Sequence, residues 1–101
     1  MSGIRIIDWR QVPRNSLIGF CKVALPSGMT IADIAIHRSE QGLWASPPSK
    51  PMVGRDGVAM KDDNGKVKYS PLIEFTDKQT RDRFSTAVVA ALIAEYPEVG
   101  V

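Results

Sequence analysis

Near the C-terminus Phe84, Ala87, Val88, Ala91 and Leu92 recur at the spacing of one helical face, and this stripe governs what the rest of the chain must do. Ahead of it, Thr76-Asp77-Lys78-Gln79 fits a capping box: the threonine hydroxyl accepts from the third helical amide and the glutamine side chain reaches back. Pro97 closes the helix. Val89, Ala90 and Ile93 form a second apolar stripe, wider than a helix lying on a sheet requires. Either the helix is deeply buried or Val89 and Ile93 face a partner, and the reading preferred here is a homodimer contact. A chain of 101 residues has room for one core, so residues 1–101 are read as a single domain.

The first half supplies what the helix packs on. Short runs rich in β-branched and aromatic residues alternate with turn clusters, the pattern of an antiparallel meander. Strands are expected at Ile4 to Val12, Leu17 to Leu25, Met29 to His37 and Leu43 to Ser46. Pro13-Arg14-Asn15-Ser16, Pro26-Ser27-Gly28 and Ser39-Glu40-Gln41-Gly42 turn the chain between them. Ser46-Pro47-Pro48-Ser49-Lys50-Pro51 reads as a stiff strand exit, because proline fixes φ and restricts its predecessor. Val67 to Phe75 is expected as a fifth strand, at an edge or bulge because Pro71 cannot donate to a ladder. The fold class is α+β: an antiparallel sheet of about five strands with one long C-terminal helix. Nothing repeats at a fixed period, and residues 52–66 read as a flexible loop or small hairpin.

Composition narrows the functional classes. With 44% hydrophobic residues, disorder throughout is excluded, and no apolar run approaches the roughly 18 residues of a membrane span. Met1-Ser2-Gly3-Ile4-Arg5 lacks a basic region followed by a long apolar stretch, so a cytoplasmic protein is expected. The single cysteine, Cys21, alternates with Leu17, Val23 and Leu25 and reads as a small apolar filler. A Cys21–His37 nucleophile and base would require strands two and three to bring them together, and Asp8 and Asp33 would have to share a sheet face to act as an acid–base pair. One histidine and one cysteine do not make an ordinary structural zinc site. Asp62-Asp63-Asn64-Gly65 fails as a calcium loop: with Gly65 sixth, Met60 stands first and Pro71 where a bidentate glutamate is required. No glycine-rich phosphate loop is present. The reading is a non-enzyme with no cofactor, no metal, no membrane partner and no small-molecule substrate.

What remains is basic charge. Five cations fall within residues 49–68, among them Lys50, Lys66 and Lys68, and Lys78, Arg81 and Arg83 follow on the first helical turns. A helix N-terminus offers unsatisfied N–H groups and a positive dipole end, a natural anion site. The same charges also read as surface pairs, Asp77 with Arg81 and Lys78 with Asp82, each four apart. Tyr69, beside Lys66 and Lys68, is the aromatic best placed to stack on a base.

Asp33-Ile34 followed by Ile36, then Gly42-Leu43-Trp44 and Pro48-Ser49-Lys50, then Arg81-Asp82-Arg83-Phe84 with Ala87-Val88, resembles the SpoVG family of bacterial septation and stage V sporulation regulators. The likeness spans roughly residues 17–51 and 67–96. It implies a dimeric antiparallel sheet with a C-terminal helix that binds DNA and RNA to regulate gene expression. By this resemblance Lys78, Arg81 and Arg83 stand where nucleic-acid contact is expected, and Lys50 is the lysine of the Pro-Ser-Lys motif. Tyr69-Ser70-Pro71-Leu72 replaces the family's Ile-Ala-His-Pro after a longer preceding segment, so a sporulation role is not carried over. The alternative is a protein-interaction module that uses the apolar helix and an edge strand.

Overall fold

The computed structural model describes residues 3–100. Four strands, β1 (Arg5–Arg14), β2 (Leu17–Ala24), β3 (Thr30–Ser39) and β4 (Gly42–Ser46), form one antiparallel sheet in the order β1-β2-β3-β4. This is the expected meander. Two short strands, β5 (Ser49–Pro51) and β6 (Tyr69–Pro71), pair antiparallel as a separate ribbon, and helix α1 (Lys78–Glu95) follows.

Alternation along β2 explains the inner face. Gly19, Cys21 and Val23 are buried while Lys22 between them is exposed. On β3 the buried residues are Ile31, Ile34 and Ile36. Ile31 and Ile34 are three apart, and strict alternation would send them to opposite faces. A register shift solves this: Cys21 pairs with Ile34 and Val23 with Ile31, and Asp33 in the extra stretch takes φ 58°. Phe84, Val88 and Leu92 of α1 lie buried with these residues and with Ala45, so the stripe read from the sequence is the core contact.

Burial pushes the Cys21 thiol up to about 12, which keeps it protonated and poorly nucleophilic at neutral pH. The helix is also pinned by hydrogen bonds. The Ala45 amide, on edge strand β4, donates to Ser85 Oγ at 2.8 Å, and Arg38 of β3 donates to the Val99 carbonyl of the C-terminal 3-10 turn Pro97–Gly100 at 2.8 Å.

Three expectations are corrected in detail. The helix cap is Asp77, whose carboxylate accepts from the Thr80 amide at 2.7 Å, and not Thr76. The fifth strand is three residues long, Tyr69–Pro71, and it pairs with Ser49–Pro51, leaving the main sheet four-stranded. Pro47-Pro48 ends β4 as a strand exit, but the chain resumes at once as β5, so the stretch joins the main sheet to the ribbon.

A fourth correction concerns the segment between β5 and β6, which does repeat. Val53 bridges Ala59, and eight residues on Lys61 bridges Val67. Gly54 donates to the Val58 carbonyl as Asp62 donates to that of Lys66, and Gly57 donates to Gly54 as Gly65 donates to Asp62. Gly57 and Gly65 both hold left-handed φ, 77° and 80°, which glycine adopts at no steric cost. The two octapeptide hairpins meet in a closed ring of amides: Met52 donates to Lys68, Lys68 to Met60, and Met60 to Met52. In place of a flexible loop or one small hairpin there are two tight hairpins around a three-way junction.

Candidate nucleic-acid interface

Lys78 and Arg81 line a groove with Pro47, Pro71 and Phe75, where the helix start meets the β5–β6 ribbon. Arg83 lies elsewhere, in a shallow groove along the outer helix face with Lys78, Asp82 and Thr86. The three cations are exposed, but Arg81 and Arg83 line no common groove among the described residues. Arg81 reaches Asp82 at 3.6 Å with both side chains more than half exposed, a contact that solvent screens. The pairing is thus between sequence neighbours, not the Asp77–Arg81 pair expected from helical spacing. Asp77 also occupies one of the amides that a phosphate would have used, and its carboxyl is held below the usual carboxylate range by those hydrogen bonds to Thr80.

The other expected cations sit on the ribbon and its hairpins. Lys50 pairs with Ser70 across β5 and β6, Lys68 belongs to the three-way junction, and Lys66 closes the second hairpin. Asp62 Oδ1 accepts from the Asn64 and Lys66 amides, so this carboxylate organises a turn. Through Pro71 the ribbon reaches the groove of Lys78 and Arg81, while Lys50, Lys66 and Lys68 do not line it. Val89 and Ile93 are half-buried: Val89 packs against the core, and Ile93 lies under Gly100 of the C-terminal turn. Part of the helix's second apolar stripe is thus covered by the chain itself.

The sheet face turned away from α1 is not legible in the sequence. By register it carries Asp8 and Arg10 of β1, Phe20 and Lys22 of β2, Ala35 and His37 of β3, and Trp44 of β4. His37 and Trp44 stack with ring centroids 4.2 Å apart and planes 15° from parallel. The Arg10 guanidinium sits 5.9 Å above the Phe20 ring. Tyr69 of the ribbon lines the groove that runs over this face. Cys21 is on the opposite, buried face, so it and His37 make no dyad. Asp8 is paired with Lys22, and β2 runs between it and Asp33, so these carboxylates stand roughly two strand spacings, about 10 Å, apart.

Burial holds the His37 imidazole below its ordinary pKa, favouring the neutral ring. The folded state then binds fewer protons than the unfolded chain just below the ordinary histidine value of about 6.5. Stability is accordingly flat above that value and falls as pH drops through it towards the lower folded pKa. Thermal melts between about pH 7.5 and 5.5 should show this fall, and His37→Gln should flatten it. A wild-type melting temperature that rises on acidification would contradict the assignment.

No family model matches the sequence, and no curated protein matches it. Among the described residues, no helix is long and apolar enough to cross a membrane.

Proposed function

We propose that this protein binds nucleic acid through backbone phosphates and acts as a small regulatory protein of the kind the SpoVG resemblance implies. The observation that carries the reading is the groove at the helix start, where exposed Lys78 and Arg81 meet the end of the β5–β6 ribbon. The ribbon that carries Lys50, and leads into the hairpins of Lys66 and Lys68, touches through Pro71 the groove lined by Lys78 and Arg81. Flexible exposed cations beside backbone amides are what phosphate contacts use, and they fix position without reading sequence. Glu74 and Asp77 line the same groove and moderate its charge.

Replacing Lys78, Arg81 and Arg83 together by alanine tests the site. The variant should bind mixed-sequence oligonucleotides more weakly whatever their sequence. Its plot of log affinity against log salt should flatten by roughly 0.7 to 0.9 for each phosphate that a removed side chain had neutralised. Wild-type affinity and slope in the triple variant would remove these residues from the interface.

A further inference from the structure

Resting on that reading, we infer that the groove between the outer sheet face and the β5–β6 ribbon accepts the bases of a single strand, which stack on Tyr69 in its wall and on Trp44 beside it. Four observations support this. The helix covers the other face of the sheet, and on the outer face Asp8, Arg10, Lys22 and Trp44 are exposed while Phe20, Ala35 and His37 are half-buried.

On that outer face the aromatic rings are exposed where a core would hide them. Trp44, 44% exposed, stands beside the groove, stacked on His37 of its wall, and Tyr69, 61% exposed, lines it. Phe20 adds a third ring, with Arg10 above it, along the same groove. A base offers two flat faces, and stacking on such rings needs it unpaired, which a duplex does not provide.

The third observation is an unused polar atom. His37 Nδ1 is buried and has no hydrogen-bond partner among the described residues, although its ring forms part of the groove wall. Nδ1 is closed to solvent in the free protein, so a base edge, which carries both donors and acceptors, engages it once the His37 ring turns out into the groove.

Charge supplies the fourth. By register the outer face carries Arg5, Arg10, Arg14 and Lys22 against Asp8 and Asp33, of which Arg10 and Asp33 line the groove and the rest flank it. That excess suits a polyanion running across the strands, and it makes an apolar or basic peptide the poorer occupant.

The test compares a 15-residue oligothymidine and a mixed-sequence RNA of about that length with a hairpin duplex, all at roughly 50 mM salt. The single strands should bind more tightly than the duplex and quench tryptophan emission. Trp44→Ala and Tyr69→Ala should each weaken single-strand binding roughly ten-fold and leave duplex binding unchanged. Trp44→Phe, which keeps a ring, should retain most of the affinity and lose the quenching. Both alanine substitutions fall on exposed side chains, and circular dichroism verifies their folds. Equal binding of strand and duplex, unmoved by either alanine substitution, overturns the groove while leaving phosphate binding in place. Absence of binding to every polymer overturns the nucleic-acid reading with it.

Discussion

Gly19→Val is expected to remove at least about 3 kcal/mol of stability, at the upper end of what overpacking a core costs. The reason is local. A Cβ at Gly19 would stand 2.5 Å from the Arg10 carbonyl oxygen and 2.5 Å from the Trp9 ring. The carbonyl belongs to the β1 backbone, whose pairing of Gln11 with Gly19 and Arg10 with Phe20 sets the register of the whole edge. Moving it aside means breaking that pairing, and moving Trp9 uncovers the inner face on which it lies. A domain of this size is held by about 5–15 kcal/mol in all, so the variant should show a much lower urea midpoint or accumulate unfolded. A midpoint equal to wild type would mean that Trp9 does not lie beneath Gly19.

Phe84→Ala should cost about 3–5 kcal/mol, because a large buried ring is deleted where the neighbours cannot close the gap. Phe84 is 4% exposed and meets Phe75 with centroids 5.3 Å apart, so its loss also loosens the chain leading into the helix. The groove of Lys78 and Arg81 includes Phe75, and nucleic-acid affinity should fall along with stability in this variant. Urea denaturation followed by circular dichroism reads the first effect. A change below about 1 kcal/mol would contradict a core centred on Phe84, Val88 and Leu92.

The helix is readable in the sequence because its stripe is long and each residue in it faces the same way, and the four-strand meander because its turns carry proline and glycine. The cap is displaced by one residue from its expected place. Thr76 and Asp77 are both good caps, and the choice depends on which oxygen reaches the Thr80 amide, a matter of backbone placement.

The octapeptide repeat is hidden for a different reason. Its two copies share Gly57 with Gly65 and the pattern of amide bonds, while Val53 answers to Lys61 and Arg55 to Asp63. Side-chain identity carries almost none of it. The outer face is hidden by parity: Trp44 stands between Leu43 and Ala45, and only the pairing of His37 with Trp44 decides which side of the sheet it takes. The basic residues are visible as cations, but their division between two grooves follows from the helix rotation and the ribbon, neither of which composition records.

The claim that this fold serves nucleic acid is tested most directly by fluorescence anisotropy of the wild-type protein with labelled duplex DNA, single-stranded DNA and RNA of mixed sequence. The titrations are run at roughly 50 and 200 mM salt, a range over which several phosphate contacts produce a steep loss of affinity. The account predicts binding at micromolar concentration or tighter at the lower salt, and a sharp weakening at the higher. No binding to any of the three polymers at the lower salt would contradict it.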